Sequence, residues 1–146
     1  MPDAADDAPE IPTPVVMDPP PPPRTGLRLI VCGGRRFADR AAVFVALDHL
    51  HATRVVSMVI EGGADGADAL ARHWANVRGV PCETVKADWA TFGKSAGPLR
   101  NRHMLGLGPH GVVAFPGGRG TADMCAQAER AGVRVWRPAG RVPVRA

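Results

Sequence analysis

Three short segments of this chain set glycines directly after an apolar run and directly before a helix-like pattern: Gly33-Gly34-Arg35-Arg36, Gly62-Gly63-Ala64-Asp65-Gly66 and Pro116-Gly117-Gly118-Arg119-Gly120-Thr121. A turn of this kind suits an anion. Glycine lets the backbone approach a ligand and adopt positive φ, and the helix that follows offers unpaired N–H groups and the positive end of its dipole. One such turn is ordinary; three in one small domain point to a shared phosphate site.

Cations accompany the glycines. Arg35 and Arg36 follow the first turn and Arg119 sits in the third, while Lys94, Arg100 and Arg102 crowd the start of a further helix expected to begin at Pro98. A helix N-terminus disfavours each exposed cation by roughly 0.3–1 kcal/mol, a cost that a bound anion would offset. A shared anionic ligand is therefore the reading for the group, with Arg102 its weakest member because it faces a different way from Arg100. Gly93-Lys94-Ser95 is not a Walker A turn: that pattern needs a glycine where Asp88 stands.

Four carboxylates belong to the same regions. Glu61 ends an apolar run and is the best candidate for contacting ribose hydroxyls or stabilising a cationic sugar, and Asp123 lies at the same edge. Asp65 has an alternative role as a helix cap, and Asp68 as an i, i+4 partner of Arg72. Trp89 and Phe37 lie in loops beside the cations and are placed to stack on a base. The histidines form neither a metal spacing nor a pair with a nucleophile, so neither a metal nor a cofactor is expected.

The elements that must position these residues follow from periodicity. Leu27 to Cys32, Val56 to Ile60, Cys82 to Val85, Gly111 to Phe115 and Val133 to Trp136 read as strands. Between them Val43, Ala46, Leu47 and Leu50 recur at helical spacing, as do Ala67, Leu70, Ala71 and Trp74, and Thr121, Met124, Cys125 and Ala128. Asp39 is a cap for the first helix, while Gly79 before Pro81 ends the second and Gly132 the last. The alternation predicts an α/β fold with a five-stranded parallel sheet covered by helices on both faces, and all three glycine turns at its carboxyl edge.

Composition narrows the setting. The chain has 146 residues and a formal charge of +4, but residues 1–25 carry five acids and one base, leaving about +8 on the remainder. That segment, with its run from Pro19 to Pro23, reads as a disordered acidic arm ending in a polyproline spacer, ahead of one domain over 26–139 and a flexible basic tail over 140–146. Cys32, Cys82 and Cys125 are odd in number and widely spaced, which fits small core residues of a reducing cytoplasm better than a disulfide framework. No signal-peptide pattern and no run of about 18 apolar residues is present, so neither secretion nor a membrane partner is expected.

The glycine turns, Asp88-Trp89, Gly93 to Asn101 and Phe115 to Met124 resemble, in this order, the SLOG superfamily of Rossmann-like nucleotide-binding domains, specifically its YspA-type, YpsA-related group of often phage- or plasmid-associated proteins. Residues 27–138 share the likeness, which together with the alternation implies an α/β, Rossmann-like, doubly wound sheet of five parallel strands in the order 3-2-1-4-5. It implies a nucleotide or nucleotide-derived ligand bound by Gly33, Gly34, Arg35, Arg36, Phe37, Gly62, Gly63, Asp65, Gly66, Asp68, Trp89, Lys94, Arg100, Asn101 and the turn from Pro116 to Thr121. More distant relatives are the LOG-type phosphoribohydrolases and DNA-processing protein A, which binds single-stranded DNA. The hydrolase motif continues to a glutamate where this chain has Met124, which favours a sensor or binding role over catalysis. N-glycosidase action through Glu61 or Asp123 and single-stranded DNA binding through the basic edge are the two alternatives, and self-association is left open.

Overall fold

The structure, a computed structural model, describes residues 26–138; the arm and tail expected from composition lie outside the described residues. The chain alternates β1 (Leu27–Cys32), α1 (Arg40–Thr53), β2 (Val56–Glu61), α2 (Ala67–Arg78), β3 (Cys82–Thr84), α3 (Trp89–Phe92), a 3-10 turn (Gly93–Ser95), α4 (Ala96–Leu105), β4 (Gly111–Ala114), α5 (Arg119–Arg130) and β5 (Arg134–Trp136). The five strands form one parallel sheet in the expected order β3-β2-β1-β4-β5.

Side-chain alternation along β1 divides the core between two layers. Leu29 and Val31 face a cluster with Val43 and Leu47 of α1 and Ala71 and Trp74 of α2. Ile30 and Cys32 face the opposite cluster, with Met104 of α4 and Met124, Cys125 and Ala128 of α5. Period-2 strands thus meet period-3.6 helices on both faces, so β1 reads as continuously apolar. Each fully buried aliphatic side chain stabilises such a core by about 1.5–3 kcal/mol.

Local signals end the helices where the sequence indicates. Asp39 caps α1, its Oδ1 accepting from the Ala42 N–H at 2.9 Å. Gly79 closes α2 in the left-handed conformation, φ 70°. Across the α1–α2 layer, Asp48 accepts from Trp74 Nε1 and from Nε and Nη2 of Arg78, all at 2.8 Å. Strand ends differ from expectation by one residue at most, and two helical features differ by more. α4 starts at Ala96, putting Pro98 third in the helix, and α3 with its 3-10 turn occupies what the sequence presents as loop. Asp88 explains that extra turn, because its side chain caps α3 by accepting from the Thr91 N–H at 3.1 Å.

The strand order reverses beside β1: the chain leaving β1 turns to the α1–α2 layer and the chain leaving β4 turns to the α4–α5 layer. The two exits separate there, opening a crevice at the carboxyl ends of the central strands.

Candidate functional site

The crevice is a cleft of about 630 Å³ whose walls are the three glycine turns, α3 and α4. The turns are joined by backbone. Gly34 N–H donates to Pro116 O at 2.8 Å, while Gly34 O accepts from the Ala67 N–H at 3.2 Å, so a single residue ties the first turn to both others. Gly66, at φ 74°, is where this closeness requires glycine: a Cβ there would lie 2.6 Å from the carbonyl carbon of Arg35.

Two consecutive residues of α4 clamp the turns from the other side. Arg100 Nη1 donates to Gly62 O at 2.8 Å and Arg100 Nε to Asn101 Oδ1 at 2.9 Å; the buried Asn101 then donates through Nδ2 to Gly120 O at 3.2 Å and to Asp123 Oδ2 at 3.0 Å. A Cβ on Gly62 would stand 2.7 Å from the guanidinium carbon of Arg100, so the glycine is what lets the arginine reach that carbonyl.

The three turns are not equivalent as anion sites. In the second, the N–H groups already have carboxylate acceptors: Gly62 and Ala64 donate to Asp68 Oδ2 at 3.0 and 3.3 Å, and Gly63 donates to Glu61 Oε1 at 2.7 Å. In the third, Gly118 is the N-cap of α5 and no side chain caps the helix, so its first-turn N–H groups lack a side-chain acceptor. Gly118, Arg119, Gly120 and Thr121 all line the cleft. The turn whose N–H groups lack a side-chain acceptor is therefore the one that opens α5, and the second turn presents carboxylates instead.

The cleft wall carries Arg35, Lys86, Arg100 and Arg119 against Asp65 and Asp68, a net positive lining. Burial pushes the Asp68 carboxyl up to about 6, with nearby Glu61 adding to the rise and the Ala64 N–H and Arg100 opposing it. The Cys32 thiol on the cleft floor is also raised, by its hydrogen bond with Cys125 and by burial, so it adds no charge. At the rim Trp89 is 49% exposed, with the Arg35 guanidinium 5.8 Å from its ring centroid.

Of the residues singled out from sequence, Gly33, Gly34, Arg35, Gly62, Gly63, Asp65, Asp68, Trp89, Arg100, Asn101 and Gly118 to Thr121 line the cleft together. The others serve elsewhere. Arg36 and Lys94 are exposed outside the lining, Phe37 packs on Phe115 at a 5.2 Å ring separation, and Gly66, Pro116 and Gly117 shape the turns from behind.

Glu61 is fully buried and points away from the cleft, its carboxylate held by Arg72 Nη1 at 3.0 Å, by the Gly63 N–H and by the Thr84 hydroxyl. Arg72 is thus the partner of Glu61, not of Asp68, and Asp65 does not cap α2, whose N-cap is Gly66. Asp123 joins α4 to α5, accepting from Asn101 and from Gln127 Nε2 at 2.8 Å. Lys86, just beyond the short edge strand β3, lines the cleft without any sequence signal; its nearness to the Gly-rich second turn shows only in the fold, where Lys86 Cγ would be 3.1 Å from a Cβ on Gly63.

Comparison with known proteins agrees with this architecture. Residues 27–92 match the YspA, cpYpsA-related SLOG family, YAcAr. The chain is 40% identical over 116 residues to the Gene 61 protein of Mycobacterium phage D29, spanning 74% of this chain and 93% of that protein. In three dimensions it is similar to DNA processing protein A of Streptococcus pneumoniae, with a TM-score of 0.65 at 20% identity over 81% of this chain. It spans about half of that structure, 52%. The chain belongs to the YspA, cpYpsA-related SLOG family.

Proposed function

We propose that the protein is a binding module for a nucleotide or nucleotide-derived ligand, its phosphate seated on the N-terminus of α5. The observation that carries this reading is the uncapped first turn of α5 opening into a cleft with a cationic lining. Arg119 and Arg35 supply charge beside the N–H groups, and Arg100 is fixed through Gly62 and Asn101, so its orientation is set before a ligand arrives. Trp89 offers an exposed aromatic face at the rim for a base.

Binding is favoured over glycosidic hydrolysis by where the carboxylates lie. Glu61 and Asp123 are outside the cleft lining, and Met124, at the position of the hydrolase glutamate, is fully buried in the α4–α5 core. A thermal-shift screen over mononucleotides, dinucleotides and cyclic nucleotides tests the reading, because a ligand at about 100 times its Kd stabilises the fold by about 2.7 kcal/mol. Stabilisation by a nucleotide without its consumption is expected; turnover of nucleoside monophosphates would replace the binding role with catalysis.

A further inference from the structure

Asp68 has a feature that the phosphate reading leaves unused. Its side chain is buried, the residue being only 6% exposed, yet it lines the cleft. Oδ2 accepts from the Gly62 and Ala64 N–H groups of the second turn, and Oδ1 meets no hydrogen-bond donor among the described residues. No ion pair joins Asp68 to a cation among those residues. A buried carboxylate oxygen without a donor is costly, and a ligand that brings a donor removes the cost.

We infer that Asp68 receives a sugar hydroxyl of the bound nucleotide, making the second turn a ribose subsite beside the phosphate cradle of α5. This rests on the nucleotide reading above and specifies it. The donor is neutral because the cleft is already net positive, which disfavours an ammonium group. It is the sugar because of position. Gly34 bonds directly to both the start of α2 and the turn before α5, and Arg100 with Asn101 spans Gly62 O and Gly120 O, so the carboxylate and the cradle are neighbours. The group adjoining the phosphate in a 5′-nucleotide is its sugar, and the base then extends toward Trp89.

The test compares AMP, GMP, CMP and UMP with their 2′,3′-dideoxy counterparts by calorimetric titration of the full chain, with inorganic pyrophosphate as the phosphate-only probe. A hydrogen bond to a charged group predicts a preference of about tenfold or more for the ribose form. Asp68→Asn, whose amide oxygen can still hold the Gly62 and Ala64 N–H groups, should shrink that preference to a few-fold, and Asp68→Ala should erase it, neither one weakening the binding of pyrophosphate. Equal affinity of ribose and dideoxy forms for the wild-type protein overturns the subsite while leaving the phosphate cradle standing. A full preference retained by Asp68→Ala overturns it as well. If the wild-type protein binds neither pyrophosphate nor any nucleotide, the phosphate reading falls and takes the subsite with it.

Discussion

Arg100 reaches Gly62 across the cleft, its Nη1 2.8 Å from the Gly62 carbonyl, in space that a single methyl group would fill. The two residues are one device: the glycine is the socket and the arginine the pin. Gly62→Ala should therefore copy Arg100→Ala in ligand affinity although it removes no charge. Arg100→Ala is expected to cost about 1.5–3 kcal/mol, tenfold or more in Kd, for loss of a charge-assisted contact. Calorimetric titration with the best ligand from the screen checks this; an alanine at 62 that left affinity unchanged would show that Arg100 needs no such seat.

Gly118 separates steric from electrostatic contributions. A Cβ there meets nothing within 4 Å, so Gly118→Val should leave the folded core and its melting temperature nearly unchanged while placing two methyl groups at the mouth of the anion cradle. Binding should be lost at every salt concentration. Arg100→Ala, by contrast, should retain weakened binding with a flatter dependence on salt, since one screened charge is gone. Titrations at low and high salt distinguish the two variants, and full affinity in both would place the ligand outside this cleft.

Much of this was legible in the sequence because the signals were local. Apolar runs separated by helical periods marked the five strands, and glycine turns ending those runs put Gly33, Gly62 and Gly118 on one edge. What the sequence could not express is direction. Glu61 ends β2 as expected, but the pleat turns its side chain toward Thr84 and Arg72 and away from the ligand edge. The second turn looks like a phosphate nest until Asp68, six residues beyond Gly62, is seen to fold back onto its N–H groups. Lys86 lacked any flag because β3 is three residues long and exposed, too short to show periodicity.

Asp68 also sets a pH dependence. Its carboxyl ionises near 3.8 when unfolded and about 6 in the fold, raised by burial and by Glu61 against the pull of the turn N–H groups and Arg100. The folded state thus holds the extra proton between those values. The stabilising contribution of the protonated carboxyl is complete below the unfolded value and is lost as pH rises through about 6. Asp68→Asn, which mimics the neutral form, should gain stability over the wild type on going from pH 4 to 7, by an amount on the order of 2–3 kcal/mol. Asp48, held down to about 2 chiefly by Arg78, acts at lower pH and with the opposite sign, so the two effects are separable. Urea unfolding across this range measures the difference, and parallel curves for the two proteins would mean that Asp68 ionises normally in the fold.

Trp89 gives a prediction that depends on the base alone. It stands half exposed at the rim, its ring beside Gly97, where an added Cβ would lie 3.3 Å from the ring, and Arg35 faces the ring. About half of the indole is thus held by these neighbours and half stays exposed at the rim. Base stacking on such a surface contributes about 1–3 kcal/mol. Trp89→Ala should accordingly weaken nucleotides by roughly tenfold or more while leaving pyrophosphate within about twofold, because pyrophosphate has nothing to stack. In the wild-type protein, nucleotide binding should also quench the fluorescence of Trp89, whereas Trp74, fully buried against α1, should not respond. Equal losses for nucleotide and pyrophosphate in Trp89→Ala would show that the ring shapes the cleft through Arg35 and Gly97 and carries no base.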